Sequence, residues 1–149
     1  MTHLKVGDKA PEFDTTNQEG EKIKLSDFKG KKVILYFYPK DNTPGCTMQA
    51  CNLKDNIDAL NNANYVVLGV SNDSQKSHQK FIDKYELPFD LLMDEDKNIV
   101  NMYGVYGQKK FMGRVYDGIH RITFVINEEG MIDNVIEKVK TKDHTAQII

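Results

Sequence analysis

The stretch KKVILYFYP, residues 31–39, restricts the fold more than any other part of the chain. Val33 to Tyr38 form an unbroken apolar and aromatic run, closed by Pro39. A strand with one face in water alternates apolar and polar side chains, whereas a strand without alternation is covered on both faces. The run therefore predicts a central strand with packed layers on either side. YVVLGVSND (65–73) reads as a second buried strand, and FDLLMDEDKN (89–98) as a third that runs into an acidic turn. Between them, TPGCTMQACNLKDNIDALNNAN (43–64) reads as one helix. SQKSHQKFIDKYELP (74–88) is an amphipathic helix with Phe81, Ile82 and Tyr85 inward, ending before Pro88. NIVNMYGVYG (98–107) suggests a short helix, and residues 118–140 a hairpin around the turn NEEG. TKDHTAQII (141–149) is the start of a last helix. Near the N-terminus, the alternation in EKIKLS (21–26) after Gly20 suggests a short strand paired with the segment before the turn. This order implies an α/β fold: a central mixed β-sheet, helices on both faces and an N-terminal β-hairpin extension. A chain of 149 residues suits a single domain over 1–149.

Charge and cysteine content narrow the chemistry. The net charge of −2 points to neither nucleic acid nor an anionic membrane. No apolar run approaches the roughly 20 residues of a membrane helix. The N-terminal MTHLKVGDKAPEF has no apolar signal-peptide core, so a cytoplasmic location is expected. In a reducing compartment the two cysteines, Cys46 and Cys51, are not expected to form a permanent bridge. His3, His78, His120 and His144 are scattered and form no motif with them, which argues against structural zinc.

Cys46 follows the central strand directly, and in layered α/β sheets active residues gather beyond the carboxyl ends of such strands. Thr43 is a good N-cap and Pro44 suits the first helical position, which places Cys46 in the first turn. Unpaired amides and the positive end of the helix dipole favour an anion there, and a thiolate is such an anion. The bland alternative is a small buried hydrophobe. Cys51 lies five residues along the same helix. An ideal helix holds the two Cα atoms about 8–9 Å apart, beyond the range of about 4.4–6.8 Å that a disulfide needs. Either Cys51 only packs, or the helix unwinds to let the two sulfurs meet. The spacing is C-x4-C rather than the C-x-x-C of dithiol oxidoreductases. A thiol that must await unwinding suits a reaction that first oxidises Cys46 to sulfenic acid, which then condenses with a second thiol.

The segment YPKDNTPGCTMQAC (38–51) resembles the active-site segment of peroxiredoxins, with its P-x-x-x-T-x-x-C signature at Pro39, Thr43 and Cys46. The second cysteine five residues on is similar to the peroxiredoxin Q, or bacterioferritin comigratory protein, group. VGDKAPEF, LSDFKGKKVILYFYPKD, LGVSND, KYELPFDLL and GIHRITFVI extend the likeness over nearly the whole chain. The resemblance implies a thioredoxin-like fold and a peroxidatic Cys46 that attacks the O–O bond of a hydroperoxide. It implies Cys51 as resolving thiol, Pro39 as shield of the thiolate, Thr43 as hydrogen-bonding partner of thiolate and peroxide, and Arg121 beside the sulfur. It further implies thioredoxin as reductant, no metal or organic cofactor, and, with the intrachain cysteine pair, a monomer.

Arg121 also stands out on its own, as one of two arginines among twenty basic residues. Alternation in GIHRITFVI puts it on one strand face with Ile119, Thr123 and Val125, where a guanidinium needs an anionic partner. That partner is the thiolate, or else the side chain lies at an edge and reaches solvent or a surface carboxylate. Gln49, one turn beyond Cys46, either bonds within the site or lies on a solvated face. His120 faces away from Arg121 and reads as structural. DEDK (94–97) reads as a solvated turn. NMYGVYGQKKFMGRVYDG (101–118) reads as a loop over the hairpin, or as an adaptable apolar rim for organic peroxides or thioredoxin. A peroxide-sensing or holdase module using the same cysteine pair is the competing reading. A general disulfide reductase is disfavoured by the missing C-x-x-C.

Overall fold

The computed structural model describes residues 2–149. In chain order its strands and helices are β1 (Asp14–Thr16), β2 (Lys22–Lys24), β3 (Lys32–Phe37), α1 (Pro44–Asp55), α2 (Ile57–Asn62), β4 (Tyr65–Ser71) and α3 (Gln75–Tyr85). There follow β5 (Asp90–Met93), α4 (Asn98–Met102), β6 (Tyr106–Phe111), β7 (Arg114–Ile119), β8 (Ile122–Ile126), β9 (Ile132–Ile136) and α5 (His144–Ile148). The apolar run is β3, the middle strand of a five-stranded sheet ordered β5-β4-β3-β8-β9. It pairs parallel with β4 and antiparallel with β8, so the sheet is mixed. β1 and β2 form the N-terminal hairpin around Gly20.

Burial explains why β3 does not alternate. Val33, Leu35 and Phe37 enter one core, with Ile99, Val100 and Tyr103 of the α4 region. Ile34, Tyr36 and Tyr38 enter the other, with Cys46, Ala50 and Leu53 of α1, Leu60 of α2 and Phe81 of α3. Each fully buried apolar side chain of this size contributes about 1.5–3 kcal/mol, so both faces of β3 hold the layers together.

Three elements differ from the sequence expectation. The long helix divides at Asn56. The Asn56 side chain takes the Asn52 carbonyl at 2.8 Å, and its backbone N–H turns to Leu53 O. That is the competition between side chain and helix ladder expected of Asn. The stretch 101–118 is no loop beyond α4. It forms the antiparallel ribbon β6–β7, turned at Met112 and Gly113, both with positive φ. A Met-Gly turn lacks the Asn-Gly signal that marks such hairpins. Asp94 is buried rather than solvated. It accepts from the Ile99 and Val100 amides at 2.9 Å and so closes the start of α4. Burial pushes its carboxyl up to about 6, against those two amide bonds.

Candidate active site

The turn between β3 and α1 carries most of the expected site. Tyr38 extends the ladder through Tyr38 N to Val70 O, and Pro39 follows it, half-buried. Proline offers no further ladder donor, so the strand ends there. Thr43 stands at the N-cap with extended backbone, and Pro44 opens the helix. The Thr43 hydroxyl does not cap the helix; it donates to Lys40 O at 2.9 Å. Its lone pairs stay free to accept, and to reach a thiolate as donor it must release that carbonyl.

Cys46, the third residue of α1, is 1% exposed, more covered than an open helix start implies. Arg121 lies just ahead of β8 rather than inside it, and its side chain reaches back across the sheet end. Nη2 donates to Cys46 Sγ at 3.3 Å, and Nη1 donates to Gln49 Oε1 at 2.8 Å. The guanidinium thus bridges two positions one helical turn apart. Gly45 makes room for it, because a Cβ there would stand 3.2 Å from Arg121 Nη2. Gln49 is fully buried, so the solvated-face alternative does not hold. Its Nε2 and Tyr36 Oη are buried polar atoms with no partner among the described residues. Tyr36 belongs to the same core cluster as Cys46, and burial, followed by the neighbouring Cys46, holds its hydroxyl well above the ordinary range.

Cys51 lies further along the unbroken α1, partly exposed, and both cysteines are free thiols. It borders a shallow cleft with Asn42, Pro44, Thr47, Met48 and Tyr85. Burial pushes the Cys51 thiol up, Lys54 pulls it back and Asp55 adds to the rise. While the helix stands, burial therefore disfavours the Cys51 thiolate. The C-terminal segment clasps α1 at the next residue. Asn52 donates to Lys142 O at 3.0 Å and accepts from Thr145 N at 2.8 Å. His144, at the start of α5, is buried between Thr123 Oγ1 and Gln147 Oε1, each at 2.8 Å.

Sequence reading missed the support of the turn. The buried Asp41 carboxylate accepts from Tyr38 Oη and from Ser77 Oγ at 2.9 Å, and it lies 2.7 Å from His78 Nδ1. His78 Nε2 meets Leu92 O at 3.0 Å. Asp73 Oδ2 accepts from Asp41 N at 2.8 Å and from Ser71 Oγ at 2.7 Å. Ligand atoms of Asp41, Asp73 and His78 lie within 4.8 Å of one another. Each is already occupied by these bonds, so the group reads as a junction tying β3, β4 and α3 together rather than as a metal centre. The available signal was His78 three residues before Phe81 on the apolar face of α3. His120 bonds to Gln108 O at 3.1 Å, away from Cys46, in keeping with a structural place.

Residues 6–135 match the AhpC/TSA family. The chain is 49% identical to the peroxiredoxin Bcp of Escherichia coli over 144 residues, covering 97% of this chain and 92% of that protein. A mutant PrxQ from Xylella fastidiosa superposes with a TM-score of 0.92 at 30% identity, covering 99% of this chain and 94% of that one. The bacterioferritin comigratory protein of Xanthomonas campestris, described for its alkyl peroxide reduction, gives 0.86 at 30% identity over 99% and 94%. The family match, the identity to a peroxiredoxin Bcp and the shared fold agree: this chain belongs to the AhpC/TSA family and, within it, to the peroxiredoxin Q or bacterioferritin comigratory protein group of thioredoxin-fold thiol peroxidases.

Proposed function

We propose that the chain reduces hydrogen peroxide and organic hydroperoxides with Cys46 as peroxidatic thiol and Cys51 as resolving thiol. The observation that carries this is the Arg121 Nη2 contact to Cys46 Sγ at 3.3 Å, at the start of a helix that also holds Cys51. The guanidinium and the helix start both stabilise negative charge on the sulfur. The Cys46 thiolate attacks the terminal peroxide oxygen and the O–O bond breaks. The alkoxide or hydroxide leaves and takes up a proton, and Cys46 becomes a sulfenic acid. Arg121 opposes the charge that develops on the oxygens during transfer. Pro39 limits water at the sulfur, and Thr43 orients the peroxide through its free lone pairs.

Resolution follows from the helix. Unwinding around Cys51 removes the burial that disfavours its thiolate, and that thiolate attacks the sulfenic sulfur. The S–S bond forms, the S–O bond breaks, and the hydroxide leaves as water with the proton that the Cys51 thiol gave up. A dithiol protein of the thioredoxin type then takes up the disulfide by exchange. Turnover of the wild type, Cys46→Ser and Cys51→Ser with thioredoxin, its reductase and NADPH tests the whole sequence. The reading expects turnover in the wild type, none in Cys46→Ser, and a single oxidation without recycling in Cys51→Ser. Normal cycling of Cys51→Ser would reduce Cys51 to packing. One oxidation without sustained consumption in the wild type would favour a peroxide sensor.

A further inference from the structure

The β6–β7 ribbon stands apart from the rest of the fold. Residues 111–117 are exposed on both strands, so neither face of the ribbon tip is covered. Seven large hydrophobic side chains are exposed among the described residues, and four of them, Phe111, Met112, Val115 and Tyr116, lie here. Met112 at the turn is 87% exposed and Phe111 65%. A two-stranded ribbon is marginal by itself in water, and one that carries this much apolar surface calls for a partner.

Charge and shape select the partner. Between Tyr106 and Ile119 the ribbon carries Lys109, Lys110 and Arg114 against one acid, Asp117. The overall charge of −2 hides this local excess. The register pairs Phe111 with Arg114 and Lys109 with Tyr116, and alternation puts both pairs on one face. That face thus carries Lys109, Phe111, Arg114 and Tyr116, while Lys110, Val115 and Asp117 face the other way, so that at the uncovered tip Arg114 and Lys110 flank the Phe111–Met112 turn from opposite faces. Gly118 leaves the first face flat, since a Cβ there would meet Lys109 Cδ at 3.2 Å and Tyr116 Cε2 at 3.4 Å. Apolar and aromatic side chains at a convex tip, flanked by exposed cations, match the apolar-plus-cationic pattern of elements that lie in a membrane interface. A second copy would set like charges against each other. A typical protein interface spans about 800 Å² per partner, which a tip of four side chains does not offer.

We propose that the β6–β7 hairpin is a peripheral docking element for an anionic lipid bilayer, with Phe111 and Met112 entering the interface and Lys110 and Arg114 bound to headgroup phosphates. Its base adjoins the thiol. β7 runs through His120 into Arg121, and Lys109 Nζ donates to Ile119 O at 2.9 Å. Lys109 is held down by burial and then by the neighbouring Arg121, with Cys46 opposing, which places it within the field of the site. A docked hairpin would hold Cys46 close to the membrane surface. Bilayer binding itself does not depend on the peroxidase reading.

Vesicle flotation of the full chain tests this, with phosphatidylglycerol–phosphatidylcholine vesicles against phosphatidylcholine alone, at low and high salt. The expected result is binding to the anionic vesicles that salt weakens and that drops at least about tenfold on neutral ones. Lys110→Gln with Arg114→Gln should lower partitioning about 25-fold, at about fivefold per cation. Phe111→Ser with Met112→Ser should lower it at least about tenfold. Hydrogen peroxide turnover should persist in both variants, which separates this inference from the function above. Equal binding to neutral and anionic vesicles, or binding that ignores both double substitutions, overturns the proposal. So does a wild type that stays off vesicles while the substitutions slow reduction by a dithiol protein or dissociate a dimer in sedimentation. The lipid and salt dependence of the unmodified chain serves as a test that needs no variant.

Discussion

Arg121 is the residue on which the site turns. Its two outer nitrogens divide the work, one on Cys46 Sγ and one on Gln49 Oε1. A lysine has a single ammonium on a flexible stem and cannot hold both. Whichever contact the ammonium kept, either Cys46 Sγ or the buried Gln49 Oε1 would lose its Arg121 donor. Arg121→Lys should therefore fold but lose about 10²-fold in kcat/KM for hydrogen peroxide, the scale of losing a preorganised donor. Stopped-flow peroxide consumption reads this directly, and a loss below a few-fold would mean that charge alone suffices. Sequence alternation brought Arg121 to notice. It left open whether the side chain met a thiolate or solvent, because residues 46 and 121 are joined only by tertiary packing.

At the scale of elements, the contact between α1 and α5 governs how readily α1 can unwind. Any opening around Cys51 must give up the bond that Asn52 donates to Lys142 O and the one it accepts from Thr145 N. At about 1 kcal/mol for each bond, Asn52→Ala should speed disulfide formation after Cys46 oxidation by roughly 10-fold or more. Rapid-quench counting of free thiols measures that rate, and an unchanged rate would detach α5 from resolution. The same clasp responds to pH. Burial first, then Arg121, depresses His144 below its unfolded value, while Gln147 opposes. A depressed histidine binds fewer protons folded than unfolded, so its contribution is present above the unfolded value of about 6.5 and is lost as pH falls below it. His144→Gln does not titrate there. Its stability deficit relative to the wild type should narrow between about pH 7.5 and about pH 5 in denaturant unfolding. A gap that widens on acidification would contradict the assignment. The ribbon β6–β7 belongs to this scale too, and its Gly-rich, Met-Gly-turned sequence disguised it as a loop.

For the whole molecule, Asp41 ties the site to the frame. Tyr38 and Ser77 donate to its carboxylate, His78 lies against it, and Asp73 holds its amide. Removing that carboxylate leaves buried polar groups on β3 and α3 unpaired. Asp41→Ala should cost about 3 kcal/mol of unfolding free energy, the scale of breaking a buried hydrogen-bonded pair. Chemical denaturation measures this, and a cost under about 1 kcal/mol would show that the turn is held elsewhere. By itself the sequence determined the doubly covered β3, the helix start at Thr43 and Pro44, and two thiols too far apart on one helix to bond. Those features follow from periodicity, capping residues and helical geometry, all of which act over a few neighbouring residues. The family resemblance had already implied Arg121 beside Cys46; tertiary structure alone decided that the same guanidinium also takes Gln49, that Asp41 and His78 lock the turn, and that α5 clasps α1. Each of these pairings joins residues 37 or more positions apart. The buried position of Gln49, though local, depends on which face of α1 the sheet covers. No local pattern records such choices; they are made when the layers pack and every buried polar group must find a partner.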